Sequence, residues 1–231
     1  MVGTVAALAR YPVKSMTGEQ LQQAVVVERG VVGDRSWAAY TADGSIGSGK
    51  RTRRFRRVDD LLSLRASLAD DGVPRIVFPD GREHRADDAA AALSALLGQP
   101  LEVRPESDVP HHDDCPLHVV TTAALRRLEQ LHGEPVDVDR FRPNVVLDVD
   151  GVGFVEDDWH GRELVLGDVV LRLGSAMPRC VMVGLEQPPR GLPEDGRLLR
   201  TLGRVHDVEF GLQACVVRGG VVRVGDAAAL L

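Results

Sequence analysis

The sequence predicts a mainly β fold of the α+β class, in which a few short helices accompany many strands. Short stretches with apolar residues at alternating positions recur along the chain, as they do in half-buried strands. The chain holds 24 glycines and only 4% aromatic residues, a composition that favours many tight turns between short elements. Only two stretches carry the spacing of apolar residues that is typical of a helix.

The predicted strands are short, and glycine, proline and aspartate separate them. Turns are expected at Asp43-Gly44 and at Pro79-Asp80-Gly81. The alternating pattern predicts eight strands and a closing hairpin around Gly219-Gly220, with these bounds: Val2 to Leu8, Ala24 to Glu28, Ser36 to Tyr40, Leu61 to Ser67, Arg75 to Phe78, Asn144 to Val149, Glu163 to Leu166, Val169 to Leu173, and the hairpin Cys215 to Val224.

Two helices are predicted from their apolar spacing and their ends. The first covers about Asp88 to Leu97, is rich in alanine, and is ended by Gly98 and Pro100. The second covers about Ala123 to His132, with Thr122 as the expected N-cap and Gly133 as the stop.

A polar, proline-bounded segment, Pro105 to Pro116, is predicted to connect an N-terminal half to a C-terminal half. This connecting segment and the residue soon after it are dense in metal-ligand types: His111, His112, Asp113, Asp114, Cys115 and His118. Neighbouring side chains seldom converge on one ion, and their spacing matches no zinc pattern. A solvated linker is therefore the favoured interpretation over a metal site.

Composition limits the class of protein. The net charge is −6, so no nucleic-acid partner is expected. No apolar stretch reaches the roughly 18 residues that cross a bilayer, and the first residues lack a secretory leader, so no membrane partner and a cytoplasmic location are expected. Three widely spaced cysteines disfavour disulfides and cannot supply a four-thiolate iron–sulfur cluster.

One local charge run departs from this balance. Lys50 to Arg57 (KRTRRFRR) holds six basic residues in eight. A solvated basic loop and a wall for an anionic ligand are equally good interpretations of this run.

Four short segments could carry chemistry. In YPVKS, Lys14 and Ser15 follow a proline and could offer an ammonium and a hydroxyl to a phosphate. In GDRSW, Arg35 follows a Gly-Asp turn. Each segment alone is more often a plain turn with a solvated cation.

The other two segments lie in the second half. RFRPN places Arg142 and Asn144 at the entry of an apolar strand, where an arginine could bind phosphate and an amide could bind a heterocycle edge. PRC places Arg179 beside Cys180, and a neighbouring cation favours the thiolate that binds soft metals. The alternatives are an ion-paired strand entry and a buried, inert cysteine.

The order and spacing of these segments together resemble the MOSC family, and in particular members with an N-terminal MOSC β-barrel domain. The matching text is YPVKSMTG, GVVGDRSW, HVVTTAAL, RFRPNVVLD, GFVEDDWHGRELVLGD, PRCVM, FG and GGVVRVGD, which together span nearly the whole chain. The resemblance implies an N-terminal β-barrel-like domain over residues 1–100 and a MOSC barrel over residues 101–231.

The resemblance also implies a molybdenum cofactor held between the two domains. Cys180 would be the metal ligand and the catalytic residue. The cofactor-binding residues implied by the family's motifs are Lys14, Ser15, Arg35, Thr121, Thr122, Arg142, Asn144 and Arg179. Pyridoxal phosphate is not expected.

The amidoxime-reducing members of the family imply an oxidoreductase that reduces N-hydroxylated small molecules, such as amidoximes and hydroxylamines. Because the chain lacks cysteines for a cluster of its own, electrons would come from an external flavin or iron–sulfur protein. The alternative is a sulfur carrier or a cofactor-delivery protein that uses a persulfide on Cys180.

Overall fold

The computed structural model describes residues 1–231 as many short strands and three helices. The helices are α1 (Ala90–Leu97), α2 (Thr122–His132) and α3 (Leu198–Val205). The strands are β1 (Gly3–Arg10), β2 (Glu19–Leu21), β3 (Gln23–Val27), β4 (Gly30–Val31), β5 (Trp37–Thr41), β6 (Ile46–Ser48), β7 (Phe55–Arg57), β8 (Arg65–Leu68), β9 (Pro74–Val77), β10 (Glu83–Arg85), β11 (Leu101–Pro105), β12 (Leu117–Thr121), β13 (Val145–Asp148), β14 (Glu163–Leu166), β15 (Val169–Pro178), β16 (Glu209–Arg218), β17 (Gly220–Arg223) and β18 (Ala227–Leu230).

Seven strands close a barrel in the order β13-β12-β16-β15-β14-β18-β1, because β1 also pairs with β13. The β12–β13 pair is parallel and α2 makes the crossover between them, whereas the other pairs are antiparallel. The small sheet β17-β3-β4 contributes Ala24, Val26 and Val222 to the same core. The predicted mainly β, α+β fold class with few short helices is confirmed.

The remaining strands form a smaller lobe in the first half of the chain. Two sheets, β11-β5-β6-β7 and β10-β9-β8, lie around one apolar cluster. Helix α1 contributes Leu93 to this cluster, while Ile76 of β9 and Leu101 of β11 are also buried in it. Burial of such side chains is what stabilises a lobe made of short strands.

The sheets do not divide at residue 100. Strands β1 and β2 belong to the barrel sheet, and β3 and β4 pair with β17 from the end of the chain. The strand β1 buries Val5, Leu8 and Ala9 and pairs with β2, β13 and β18, so the barrel cannot close without it. Strands β1 to β4 therefore belong structurally with the second half, whereas Val13 and Met16 between them pack in the smaller lobe. The expected sequence limits 1–100 and 101–231 remain a prediction.

Several local predictions are wrong. Leu61–Ser63, predicted as the start of a strand, forms a 3-10 turn, and helix α3 is not predicted. Residues 215–224 form no hairpin, because β16 pairs with β12 and β15 while β17 pairs with β3. The N-cap of α2 is Thr121, whose side chain accepts a hydrogen bond from the Ala124 amide at 3.0 Å. The prediction also lacks β12, since a strand that is buried at all five positions shows no alternation. None of the three helices is long and apolar enough to cross a membrane.

Candidate functional site

A polar cleft opens between the smaller lobe and one end of the barrel. Twenty residues line it, and only six of them are hydrophobic. The smaller lobe and its connections contribute Lys14, Ser15, Ser48 and Lys50, and the barrel side contributes residues on three separate segments that include Arg142, Asn144, Arg179 and Cys180.

Positive charge dominates this cleft in a chain whose net charge is negative. Six cationic residues line it, Lys14, Arg35, Lys50, Arg140, Arg142 and Arg179, against two carboxylates, Asp113 and Asp114. Like charges gathered in a partly enclosed space create a strong local potential that attracts anions. The arrangement therefore fits an anionic ligand.

Lys14 lies at the floor of the cleft and is 5% exposed. Its ammonium donates to the backbone oxygen of His111 at 2.9 Å and to Asp113 Oδ1 at 2.6 Å, and it lies 4.2 Å from the centre of the Phe55 ring. Burial lowers the pKa of Lys14 to about 8, against the opposing charge of Asp113. Next to it, Ser15 has a left-handed backbone (φ 62°) and donates to Ser48 Oγ at 3.1 Å.

Arg35 is held by a buried carboxylate. Asp34 is fully buried, accepts from the Tyr11 amide at 2.8 Å and forms an ion pair with the Arg35 guanidinium. Arg35 also donates to the backbone oxygen of Arg142 at 3.2 Å and lies over the Tyr11 ring. Through Asp34 and Arg35, the GDRSW segment contacts Tyr11, just after β1, and the RFRPN segment.

The RFRPN segment begins in a short 3-10 turn, Val138–Phe141, and leads into β13. Arg142 has a left-handed backbone (φ 54°), donates to the backbone oxygen of Met16 at 2.5 Å and lies 4.3 Å from the Tyr11 ring centre. Burial, and then the nearby Arg35, lower the pKa of Arg142 to about 10. Packing against Tyr11 and these contacts fix the guanidinium in place.

Asn144 and Arg140 make mainly structural contacts. The Asn144 amide donates to the backbone oxygen of Ala9 at 3.3 Å and its oxygen accepts from the His118 amide at 3.2 Å, which joins three strand ends. Arg140 donates to the backbone oxygens of Val183 and Pro193, at 3.3 and 2.7 Å, in the loop after Cys180. Arg140 therefore positions the loop that carries the cysteine.

Arg179 and Cys180 follow β15 directly. Arg179 Nη2 donates to the backbone oxygen of Phe141 at 2.8 Å, whereas its Nε is buried without a partner. Burial lowers the pKa of Arg179 to about 10. A buried guanidinium nitrogen without a partner costs free energy, so this group is available to an incoming acceptor. Cys180 is a free, half-buried thiol at the wall of the same cleft.

Two predicted site residues are not among those that line the cleft. Thr121 donates to Glu156 Oε2 at 2.7 Å and caps α2. Thr122 donates to Asp148 Oδ1 at 2.9 Å and accepts from the Val149 amide. Thr121 ends β12 and Thr122 follows it, on the side away from the cleft, whereas His118 lies near the other end of the strand. The structure brings together the other seven predicted residues, including Cys180.

The connecting segment is not the solvated linker that the sequence predicts. His111 and His112 are buried, and His112, Asp113, Asp114 and Cys115 line the cleft. No group of three or more His, Cys, Asp or Glu residues is placed to hold an ion. Lys50 reaches the cleft, while Arg51, Arg53, Arg56 and Arg57 are exposed, so the basic run is partly wall and partly solvated loop.

The FG motif has a steric explanation. Gly211 has a φ of 74°, and a Cβ there would lie 2.5 Å from His118 Nε2 and 2.6 Å from the Val119 oxygen. The His118 imidazole, which bonds the Phe210 oxygen at 3.0 Å, is therefore accommodated beside the cleft only by a glycine.

Comparison with known proteins agrees with this architecture. The MOSC domain model matches residues 106–229, and the MOSC N-terminal beta barrel domain model matches residues 2–92. The mitochondrial amidoxime-reducing component 1 of Mus musculus is 27% identical over 286 aligned residues, covering 100% of this chain and 83% of that protein. The component 2 of Bos taurus is 27% identical over 280 residues, covering 97% and 82%.

A solved structure shows the same fold. The YUAD protein from Bacillus subtilis superposes with a TM-score of 0.57 at 13% sequence identity, covering 100% of this chain and 96% of that one. The domain matches, the closed barrel and the order of the motifs lead to one conclusion: the chain belongs to the MOSC family.

Proposed function

We propose that the cleft binds a molybdenum–pterin cofactor and that Cys180 is its protein ligand to the metal. One observation carries this proposal. Six cations, one with a buried nitrogen that lacks a partner, surround the same small cleft as a free thiol. A phosphorylated pterin is anionic and rich in hydrogen-bonding atoms, so it matches the charge and the open donors of this cleft.

The chemistry of the donor set also distinguishes Cys180 from the second cysteine in the cleft. Cys115 donates its thiol to the backbone oxygen of Leu117 at 2.8 Å, and burial raises its pKa to about 11. A thiol held in this way resists becoming the thiolate that binds metal. Cys180 has no such hydrogen bond and adjoins Arg179, so it is the better ligand.

The remaining residues have distinct proposed roles. Lys14, Arg35, Arg142 and Arg179 would neutralise the phosphate and orient the pterin, with Ser15 as a neutral donor. Asn144 would act indirectly, because its amide holds β1 and β12 in position. Thr121 and Thr122 have no proposed contact with the cofactor.

The family relatives extend the proposal to a reaction. Two of the proteins similar to this chain are named amidoxime-reducing components. We propose the same class of reaction here: an N-hydroxylated compound takes up two electrons and two protons, its N–O bond breaks, and the amine or amidine and water are released. When bound, the cofactor supplies a metal that accepts and passes electrons in pairs. A separate flavin or iron–sulfur protein would provide the electrons.

The test measures metal and pterin content in protein made in a host that synthesises the cofactor. Wild type should carry about one metal and one pterin per chain, and Cys180→Ala should lose the metal or bind it in an altered state. Cys115→Ala is the matched control, since it removes the other thiol of the cleft and should keep both.

The outcomes separate the candidate functions. Reduction of benzamidoxime by loaded wild type with an artificial reductant, absent in Cys180→Ala, would support the reductase. Wild type without metal and pterin would overturn the proposal, and a persulfide detected on Cys180 by mass spectrometry would then favour the sulfur-carrier alternative.

A further inference from the structure

One acidic side chain of the cleft is paired with two of its cations. Asp113 lies between two lysines: its Oδ1 accepts from Lys14 Nζ at 2.6 Å and its Oδ2 from Lys50 Nζ at 3.0 Å. Lys14 is 5% exposed, so one of the two ammonium groups is deeply placed. A carboxylate with each oxygen bonded to an ammonium makes the contacts that two oxygens of a phosphate would make.

The rest of the connecting segment explains how Asp113 is presented. The residues before Asp113 are anchored in the protein: Glu106 accepts from the His111 amide at 2.5 Å and from Arg29 at 2.6 Å, and Arg54 donates to the His112 oxygen at 3.0 Å. His111 and His112 are buried, whereas Asp113 and Asp114 are exposed. The exposed tip of the segment, Asp113 and Asp114, can therefore move away from the two lysines while the contacts of the preceding residues stay in place.

Two ammonium groups this close together cost free energy when no anion pairs with them. Lys14 and Lys50 both lie against the Phe55 ring, at 4.2 and 5.2 Å from its centre. Burial alone would raise the pKa of Asp113, but the two ammonium groups hold it well below its usual range. The carboxylate therefore stays ionised at neutral pH and competes with any other anion for the same donors.

We propose that Lys14 and Lys50 form a phosphate-binding site and that Asp113 is its built-in, displaceable occupant. A phosphate group that enters the cleft takes over both ammonium groups, and the Asp113–Asp114 tip swings outward into solvent. The contact keeps the cations paired in the ligand-free protein and makes binding of simple anions weak. The identity of the phosphate as part of a pterin cofactor rests on the proposed function, but the displacement itself does not.

The test uses pyrophosphate as the probe and metal-free protein at about pH 6.5, where Lys14 keeps its charge. Calorimetric titration should show that Asp113→Asn binds pyrophosphate at least about tenfold more tightly than wild type, since the competing occupant is gone. Asp114→Asn is the matched control: it removes the same charge one residue away, from a side chain that lines the cleft without a hydrogen bond to either lysine. Its affinity should stay within about twofold of wild type.

Hydrogen exchange on the wild-type chain tests the same proposal without a mutation. Pyrophosphate should increase amide exchange at residues 112–115 while the lobes are unchanged or protected. Equal tightening in the two variants, no binding by Asp113→Asn at millimolar pyrophosphate, or added protection of residues 112–115 would each overturn the proposal. Cys180→Ala should behave as wild type here, so failure of the metal-binding proposal and failure of this one are distinguishable.

Discussion

The two ends of the barrel bury charge in opposite ways. At the cleft end, Arg142 and Arg179 are held ionised, and Arg179 keeps a nitrogen without a partner. At the far end, Glu156 is 1% exposed and its Oε1 lacks a partner, while burial raises the pKa of its carboxyl to about 7. One strand, β12, joins both ends, with His118 near the cleft and Thr121 about 10 Å further along.

The two ends differ in whether the buried side chain can become neutral. A guanidinium stays protonated at neutral pH. Several buried guanidinium groups close together are therefore stabilised when an anion binds beside them. A carboxyl can take up a proton, so burial of Glu156 ends in a neutral side chain and a pH-dependent stability. The charge at the cleft end fits the proposed anionic ligand, whereas the buried carboxyl at the far end makes stability depend on pH.

The largest expected effect comes from Arg179→Met. Loss of one charge-assisted contact should weaken binding of the phosphorylated ligand by about 2.7 kcal/mol, or roughly a hundredfold. The unfolding temperature should not fall, because the substitution removes a buried charge with an unpartnered nitrogen. Cofactor content and thermal unfolding of the cofactor-free protein measure the two effects.

Arg172→Met is the control for that comparison, since Arg172 is an exposed arginine of β15, the strand that Arg179 follows, and pairs with Glu163 on the surface. It should leave ligand binding unchanged. A large drop in stability for Arg179→Met would show that the cleft end also serves folding.

A smaller effect is expected at the far end from Glu156→Gln. The raised folded pKa means that the carboxyl stabilises the fold fully below its unfolded pKa near 4.5 and loses that contribution as pH rises through about 7. Wild-type unfolding free energy should therefore fall by about 2 kcal/mol between pH 5 and 8 from this group, and the variant should remove that slope.

Two other titratable groups face this region. His206 bonds Asp157 at 2.8 Å, and although burial opposes it, that contact raises the His206 pKa, so its contribution also fades as pH rises. Both groups remain in the variant, so the difference between wild type and Glu156→Gln isolates Glu156. Glu102→Gln, at an exposed carboxylate of the smaller lobe, should not change the slope; an unchanged slope in Glu156→Gln would contradict the assignment.

The smallest effect is expected from Thr121→Ala, at the end of β12 that lies away from the cleft. Thr121→Ala removes the cap of α2 and a hydrogen bond to Glu156, which should cost about 1 kcal/mol of stability. Cofactor content should stay at the wild-type level, because Thr121 does not line the cleft. Thr121→Ser retains the hydroxyl and should restore most of the stability; loss of cofactor in Thr121→Ala would return this residue to the binding site.

Most of the residues predicted for the site line the same cleft, although they come from separate motifs. Lys14, Arg35, Arg142 and Arg179 come from segments far apart in sequence, and the fold brings all four to one cleft. Thr121 and Thr122 belong to an equally clear motif, yet β12 carries them away from the cleft. A sequence motif therefore does not show which of its residues reach the cleft, because that depends on the direction of the strand that carries them.

The connecting segment gives the opposite lesson. Its histidines and aspartates match no metal spacing and its polarity is typical of an exposed loop, so the sequence offers no reason to bury it. Burial of His111 depends on Tyr40 and the Arg35 backbone, which bond its ring at 2.8 and 3.1 Å from another part of the chain. Such partners cannot be inferred from local pattern.

The sequence by itself determined the mainly β class, about half of the strands, two of the three helices and the family, because each depends on local periodicity, turn residues or an ordered set of motifs. Only the tertiary structure decided that β1 closes the barrel, that β16 and β17 part to different sheets, and that Asp113 lies between two lysines. These facts depend on pairings between residues distant in the chain, where burial and charge are set by neighbours that no local pattern specifies.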